Sequence, residues 1–348
     1  MDILIVSNMG PKPSAPLLGQ FVLNQVDSLK KVNLSVDYFY LSWNGDSIFH
    51  KLLKYPVFFT RFLFSYVLSF RKFDVIHIHY YFPTIICAIL YKAIRNRNVK
   101  VVVTCHGGDV YCYQPPSKLY KKLSRHVNHW IFTSEKLKSK FYRDVESSSI
   151  LCAGYDDNIF KGEKSLTDLD TDCLLVGNLD QNKGIDRLIK LVKKMPSVRF
   201  TVVGSGNGLK ELEQCAATNS NLKLFGSVPA KQLAVVMQKS RCLLSLSRNE
   251  SFGLVLSEAN ACGTICIVSE TDGSAEQLPN WKYTVSQNQD ENQIIEAFES
   301  HIEKIMKLDE DHYKKEQSIA CKQTEQYSLT KIVKNLFRIY QAQCTSEK

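Results

Sequence analysis

The 348-residue sequence lacks the features that mark secreted, membrane-spanning and disulfide-stapled proteins. Residues 1–8 carry no basic n-region, and their apolar run is too short for a signal peptide, so we expect a buried strand there. No segment reaches the ~18 uninterrupted apolar residues that a spanning helix needs. The 11 cysteines are odd in number and contain no Cys-x-x-Cys pair. We therefore expect buried, reduced thiols and a cytoplasmic protein.

A complete dinucleotide-binding fingerprint is also missing. Gly204-Ser-Gly206-Asn-Gly208 begins one, but Leu209 stands in the place of the final glycine. No acidic residue follows about 20 residues later, where the ribose-binding acid of that motif belongs. The segment is more typical of a tight turn between a strand and a helix, and an NAD-dependent oxidoreductase is the disfavoured alternative from another enzyme class.

Positive charge is in excess, but only in the N-terminal half of the chain. The 44 Lys+Arg and 35 Asp+Glu leave a net charge of +9. Residues 1–165 contain 22 Lys+Arg and 12 Asp+Glu, a net charge of +10. The remaining residues contain 22 Lys+Arg and 23 Asp+Glu, a net charge of −1. Phosphate groups, an anionic membrane surface and nucleic acid would each complement the basic half, and charge alone does not choose among them.

Short β-branched runs alternate with helix-period segments along the chain, which is typical of parallel βα units. The length corresponds to about two domains, and the polar segment 163–171 separates two such series. We predict an N-terminal domain at 1–162, a linker at 163–171 and a C-terminal domain at 172–348. The last helix, about 327–343, is placed in the second domain, with packing back on the first as the alternative. The predicted fold is α/β, with two Rossmann-like, doubly wound parallel sheets facing a central cleft, and C-terminal helices.

The segment 55–70 is apolar on most of its predicted helical surface. It contains Arg61, and Arg71-Lys72 follow it. Two interpretations stay open: a core helix packed between neighbours, or a partly exposed helix that enters an anionic membrane interface.

The most specific constellation of chemical groups spans Glu250 to Glu258. A strand is predicted to end near residue 247 and a helix to start near Phe252, so Glu250 would lie at the carboxyl edge of a sheet. If wholly helical, the eight-residue separation would be ~12 Å, longer than the roughly 5–9.5 Å of glycosidase carboxylate pairs. It fits the two ends of a nucleotide diphosphate sugar, with the diphosphate at the helix N-terminus. Taken singly, each Glu is more often an ordinary helix residue.

Lys183 and His106 are further candidates because each follows a predicted strand. Lys183 can place a point charge on a phosphate leaving group, although a lone loop lysine is more often merely solvated. His106 would face the cleft from the first domain. A zinc site made of His77, His79, Cys105 and His106 matches none of the usual ligand spacings, so no metal is expected.

These motifs, taken together and in order, resemble the retaining glycosyltransferases of family four, which have the GT-B fold. The resemblance covers nearly the whole chain. It rests on Gly19-Gln-Phe-Val22, Asp74–His79, Thr104–Asp109, Thr133-Ser-Glu135, Val176–Leu179 with Lys183-Gly184, Val203–Gly206, Phe225–Val228, and Glu250-x7-Glu258 followed by Ala259–Gly263.

The resemblance implies a role for each matching residue. Glu250 would contact the donor sugar and His106 would approach it, as the catalytic pair. Glu258 would bind ribose, and Lys183 would neutralise the diphosphate. The donor-binding set is completed by the backbone amides of Phe252, Gly253 and Leu254, by Gly19 in the first loop and by Val228 against the base. No cofactor and no metal is implied.

The sequence departs from the family pattern at several positions. Asn178 stands where the family often has Arg, which leaves Lys183 as the cation of this loop and puts donor affinity or donor choice in doubt. Gln20 replaces a frequent glycine, and Gly263-Thr-Ile265 lacks the usual proline.

The predicted function is transfer of a hexose-type sugar, with retention of configuration, from a nucleotide sugar to a saccharide acceptor. We expect this acceptor to be lipid-linked and the reaction to serve surface polysaccharide or glycolipid synthesis. A nucleotide-sugar hydrolase or epimerase of the same fold is the near alternative. The basic half would then hold the enzyme peripherally on the inner face of an anionic membrane. No nucleic-acid partner is expected.

Overall fold

The computed structural model describes residues 1–12, 18–42, 47–162 and 166–345. It divides into two compact units, one made of residues 1–154 together with the C-terminal helix and the other of residues 155–328.

The division differs from the predicted linker at 163–171. Tyr155 and Phe160 lie in the core of the second unit, and the amide of Leu166 donates to Glu310 Oε2 over 3.1 Å. Residues 166–171 of the polar stretch therefore belong to the second unit, because the backbone of Leu166 is hydrogen-bonded there, and a polar composition alone did not reveal this. Residues 163–165 of the predicted linker lie outside the described residues.

The first unit is built on a parallel sheet with the strand order β2-β1-β3-β4-β5-β6. Its strands are β1 Asp2–Ser7, β2 Ser35–Tyr40, β3 Val75–His79, β4 Lys100–Cys105, β5 His129–Phe132 and β6 Ser148–Ile150. Its helices are α1 Gln20–Lys31, α2 Ile48–Phe62 with a π-helical continuation Leu63–Val67, α3 Tyr81–Ile94, α4 Gly108–Tyr111, α5 Lys118–Leu123 and α6 Glu135–Ser139.

The second unit repeats the plan with the strand order β12-β11-β10-β7-β8-β9. Its strands are β7 Thr171–Asn178, β8 Phe200–Ser205, β9 Leu222–Phe225, β10 Ser240–Ser245, β11 Ile265–Ser269 and β12 Thr284–Val285. Its helices are α7 Ile185–Lys194, α8 Leu209–Thr218, α9 Ala230–Gln238, α10 Leu254–Ala261, α11 Asp272–Gln277, α12 Glu291–Met306 and α13 Glu310–Thr324. The chain then returns to the first unit as α14 Leu329–Thr345.

Both sheets are covered by helices, which is why their central strands are continuous apolar runs and not alternating ones. Ile3, Leu4, Ile5 and Val6 of β1 have no exposed surface. The C-terminal α14 joins the first core through Tyr340, whose hydroxyl lies 2.7 Å from Nδ1 of His77. Across the described ranges, none of the helices combines the length and apolar character that crossing a bilayer requires.

Candidate active site

The site of the second unit lies at the point where its strand order reverses. β8 pairs with one edge of β7 and β10 pairs with the other. The chain leaves β7 towards α7 and leaves β10 towards α10, so these two loops flank a gap at the carboxyl edge. Open α/β sheets bind ligands at such switch points.

The loop between β7 and α7 is held by its own turn and by the loop after β10. The amide of Lys183 donates to Asp180 Oδ1 over 2.9 Å. Asn182 and Asn249 exchange two hydrogen bonds: the amide of Asn249 donates to Asn182 Oδ1 (3.1 Å), and Asn182 Nδ2 donates to the carbonyl of Asn249 (3.0 Å). Gly184 closes the turn with φ +72°, where a Cβ would lie 2.4 Å from the carbonyl oxygen of Leu246. The two loops therefore form one braced unit.

Lys183 and Glu250 meet across this brace as an ion pair. Both side chains are about four-fifths buried, at 21% and 19% exposed. The sequence placed both residues at the sheet edge but gave no sign that they touch. Glu250 therefore neutralises the charge of the Lys183 ammonium group.

The start of α10 presents backbone donors beside this pair. Gly253 has φ +76° and caps the helix without a side-chain hydrogen bond. The amides of Phe252, Gly253 and Leu254 donate to no acceptor within the described part of the chain. Buried Gln277 fixes the turn, since its Nε2 donates to the carbonyls of Phe252 and Gly253. A helix N-terminus with unused amides favours an anion.

Glu258 lies one turn into α10 and is half-buried. Burial raises the pKa of its carboxyl to about 7, because no cation among the described residues compensates for the lost solvation. The eight residues from Glu250 are helical only from Leu254 onward, so the ~12 Å spacing of a continuous helix does not apply to the pair.

The other predicted donor-side positions surround the same sheet edge. Val228 is half-buried in the loop after β9, where it packs on the core of the second unit. Asn178 Nδ2 donates to Asp180 Oδ2 over 2.7 Å, so this side chain braces the loop instead of adding a cation. Gly204 lies near the end of β8 and Gly206 in the turn that follows; a Cβ on Gly204 would lie 1.9 Å from the carbonyl oxygen of Gly177. The glycine run is therefore a close backbone contact, as its sequence favoured.

The first unit has its own switch point between β1 and β3. Gly19 caps α1 there with φ +71°, and a Cβ on it would lie 3.2 Å from the backbone of Gly10. Residues 13–17 of the loop that leads to Gly19 lie outside the described residues.

His106 follows β4 and is surrounded by aromatic side chains. Its ring contacts Tyr80 at 4.6 Å and Phe21 at 5.0 Å between centroids. Its Nε2 lies 3.0 Å from Nδ1 of His79. Burial lowers the pKa of His106 to about 3, so the imidazole is neutral at physiological pH.

Asp109 holds the turn that carries His106. Its Oδ1 accepts from the amides of His106 (2.9 Å) and Gly107 (3.0 Å), and its Oδ2 accepts from the amide of Tyr81 (2.9 Å). Burial raises the pKa of this carboxyl, which the three amide donors oppose. His106 is thereby fixed at the strand end.

The neighbouring histidines are engaged in the fold. His77 lies within 2.7 Å of Thr104 Oγ1 through Nε2 and of Tyr340 through Nδ1. Among the described residues, no group of three or more His, Cys, Asp or Glu side chains is arranged to hold a metal ion.

Two family models match the chain, one on each unit. "Glycosyltransferase Family 4" matches residues 21–148, and "Glycosyl transferases group 1" matches residues 157–320. The chain belongs to family four of the glycosyltransferases.

Two curated relatives of this family-four chain show how distant the likeness is. It is 27% identical to an uncharacterised glycosyltransferase of Methanocaldococcus jannaschii, over 58% of each chain. It is 24% identical to the gpi3 subunit of the phosphatidylinositol N-acetylglucosaminyltransferase of Schizosaccharomyces pombe, over 84% of this chain and 66% of the relative. The chain thus spans about three-fifths to two-thirds of the length of these relatives.

Solved structures of similar fold cover the whole chain. A glycosyltransferase from Rickettsia africae aligns with a TM-score of 0.76 at 16% identity, covering 99% of both chains. HepE from Anabaena, solved in complex with UDP-glucose, aligns with a TM-score of 0.71 at 16% identity, covering 98% of this chain and 100% of its own. The family-four chain therefore has the GT-B fold that its sequence predicted.

Gln277 escaped the sequence analysis, and it holds the turn at Phe252 from 25 residues away in the chain. His79 and Asp109 belong to motifs that the sequence analysis named, but their contacts with His106 were not predicted. Their contacts depend on strand order and loop geometry, and a single sequence carries no signal for either.

Proposed function

We propose that this chain transfers a hexose-type sugar from a nucleoside diphosphate sugar to a saccharide acceptor. The observation that carries the proposal is the largely buried ion pair of Lys183 and Glu250 at the switch point, next to the N-terminus of α10, which has no side-chain cap. The two braced loops present a cation, free amides and a carboxylate. The cation and the amides suit the diphosphate of such a donor, and the carboxylate suits its sugar hydroxyls.

In this proposal the diphosphate displaces Glu250 from Lys183. The diphosphate accepts hydrogen bonds from the amides of Phe252, Gly253 and Leu254, while the released Glu250 accepts from the sugar hydroxyls. Glu258 accepts from the ribose hydroxyls further along α10, and Val228 lies against the base. Binding thus exchanges one internal ion pair for contacts to both halves of the donor, and the braced loops keep these groups preorganised.

We propose that transfer retains the anomeric configuration. An acceptor hydroxyl attacks the anomeric carbon from the side of the departing diphosphate; the carbon–oxygen bond to the phosphate breaks, and the hydroxyl proton passes to the leaving phosphate oxygen. Negative charge grows on that diphosphate in the transition state, where Lys183 and the helix amides stabilise it. His106, neutral and held by His79, is the proposed catalytic residue of the first unit, and Gly19 would let the first loop close.

We propose that no cofactor or metal takes part, since Lys183 and the helix N-terminus supply positive charge for the diphosphate. Turnover unchanged by a chelator supports this point, and turnover restored only by a divalent cation overturns it.

We propose a lipid-linked saccharide as the acceptor, in surface polysaccharide or glycolipid synthesis on the cytoplasmic face of a membrane. The +10 charge of residues 1–165 supports an anionic surface as partner. The fission-yeast relative is named for transfer to phosphatidylinositol, which fits an acceptor of this class.

A screen of nucleotide sugars, with UDP-N-acetylglucosamine and UDP-glucose first, tests the donor. A bound donor raises the melting temperature by mass action, and Glu250→Ala and Lys183→Ala should each abolish most turnover while the fold persists. Lys194→Met is a matched control, because Lys194 forms an ion pair with Glu299 at the far end of α7. Product analysis with and without acceptor separates a transferase from a nucleotide-sugar hydrolase or epimerase.

A further inference from the structure

The helix between β2 and β3 has two apolar sides, and only one of them is used by the core. Phe58 and Phe62 are buried, with ring centroids 5.0 and 5.4 Å from that of Phe39. Large apolar side chains along the same segment are exposed, among them Leu52 at 71%, Phe64 at 67% and Phe70 at 95%. We call these the outer face, which consists of Ile48, Phe49, Leu52, Phe64, Leu68 and Phe70.

Four of the six outer-face residues lie on one unbroken helical segment, and Leu68 and Phe70 follow directly after it. The π-helical turn Leu63–Val67 follows α2 directly, so the segment runs for 20 residues from Ile48 to Val67, about 30 Å at ~1.5 Å per residue. At its far end the Arg95 guanidinium lies 5.8 Å from the centre of the Phe70 ring, which brings the exposed Ile94 into the same region. Exposed apolar surface of this extent on a folded unit marks an interaction surface.

The segment that carries the outer face has charge of a single sign. Residues 48–73 contain no Asp or Glu and five cationic residues: Lys51, Lys54, Arg61, Arg71 and Lys72. Lys51, Arg61, Arg71 and Lys72 are exposed, and Arg71 also pairs with Asp37 of β2. Large apolar side chains flanked by Lys and Arg, without acids, are the composition of helices that lie in a membrane interface.

We propose that the outer face docks this unit on the surface of an anionic lipid bilayer. α2 lies in the plane of the interface, its exposed Phe and Leu side chains enter the headgroup region, and the flanking lysines meet lipid phosphates. This proposal rests on the proposed function, because a lipid-linked acceptor is presented at such a surface. A second copy of the chain is the disfavoured occupant, since pairing two outer faces would bring two cationic segments together.

Co-sedimentation of the full chain with vesicles tests the proposal. We expect binding to phosphatidylcholine vesicles that contain about one-third phosphatidylglycerol, and little binding to pure phosphatidylcholine. A Leu52→Ser/Phe64→Ser/Leu68→Ser variant should lose at least about tenfold in partitioning. A Lys51→Ala/Lys72→Ala variant should lose about 25-fold at low salt, since each basic residue near an anionic surface contributes about a fivefold factor, and the difference should shrink in high salt.

A matched control uses the same chemistry on the other unit. α9 carries exposed Lys231 and Val235 one turn apart, and Lys231→Ala/Val235→Ser should bind vesicles like the wild type. Equal partitioning of the wild type and the Leu52/Phe64/Leu68 variant overturns the proposal, as does a wild-type dimer in light scattering that this variant converts to a monomer.

The nucleotide-induced rise in melting temperature, measured without vesicles on the same variants, separates this proposal from the transferase assignment. If nucleotide raises the melting temperature of the wild type but the wild type binds no vesicles, the docking surface is overturned and the transferase assignment stands. Vesicle binding without any nucleotide-induced rise in melting temperature supports the docking surface and overturns the transferase assignment.

Discussion

Glu258 gives the sharpest quantitative prediction, because partial burial raises the pKa of its carboxyl and no cation in the described part of the chain offsets this. Its pKa is raised from 4.5 to about 7, so near neutral pH about half of the free protein carries it protonated. If only the carboxylate form accepts both ribose hydroxyls, the apparent Kd scales with 1 + 10^(pKa − pH). This factor is about 11 at pH 6, about 2 at pH 7 and about 1.1 at pH 8. Nucleoside diphosphate should therefore bind about tenfold more tightly at pH 8 than at pH 6.

Titration calorimetry of UDP across this range provides the measurement, with Glu258→Gln as its control. The control retains the titration of the diphosphate itself and of all other groups, so the difference between the two profiles isolates Glu258. The variant should bind more weakly than the wild type at pH 8 and lose the Glu258 component of the pH profile. Superimposable profiles for the two proteins would refute the reasoning.

Stability provides a second check with a definite sign. An acid whose folded pKa is raised costs stability as pH rises from its unfolded pKa of about 4.5 to its folded pKa of about 7. Glu258→Gln removes this cost, so the unliganded variant should gain melting temperature relative to the wild type as pH rises through that window. A variant that becomes relatively less stable there would contradict the proposed burial.

Three further predictions concern the ion pair, the first unit and the loop brace. Lys183→Met should weaken UDP binding about 10- to 100-fold, because a charge-assisted contact is lost, whereas Glu250→Gln should leave it unchanged or tighten it up to about fivefold; calorimetry checks both signs. His79→Ala should lower kcat about tenfold with little change in donor KM, and His79→Asn should recover part of it. Gly184→Ala should lower the free energy of unfolding by about 1–3 kcal/mol in urea titrations, since its Cβ would lie 2.4 Å from a main-chain oxygen.

Most of the fold could be predicted because parallel strands that are covered by helices on both faces appear in the sequence as continuous apolar runs. β4 Lys100–Cys105 and β11 Ile265–Ser269 are two such runs. The two-residue strand β12 was missed, because so short a run has no period to detect. The compact units divide between residues 154 and 155, ahead of the predicted linker at 163–171. Composition does not locate this division, because a polar surface segment and a linker have the same composition.

The candidate site was predictable as a set of positions but not as a set of contacts. Lys183 and Glu250 are 67 residues apart, and their pairing follows from β7 lying beside β10. The strand and helix pattern of the sequence placed these residues at strand ends, and the resemblance to the family implied their roles. The bracing by Asn182, His79 and Gln277 depends on how individual loops pack, which a single sequence does not encode in any readable period.

The exposed helix shows how a pattern can be correct and still leave two interpretations. Residues 55–70 read as apolar on most of their surface, and the structure buries Phe58 and Phe62 while it exposes Phe64 and Phe70. Burial of one apolar side depends on its partner Phe39, which lies on another element. Periodicity therefore identifies an apolar side but not what covers it.

Nucleotide-sugar turnover with an acceptor tests the central claim most directly. The purified chain is incubated with the nucleotide sugar that raises its melting temperature most and with a lipid-linked saccharide fraction, and released nucleoside diphosphate and the new glycosidic bond are measured together. We predict release that requires the acceptor, a product with the donor's anomeric configuration by NMR, and loss of both with Glu250→Ala. Near wild-type turnover by Glu250→Ala, or a product of inverted configuration, would contradict the account.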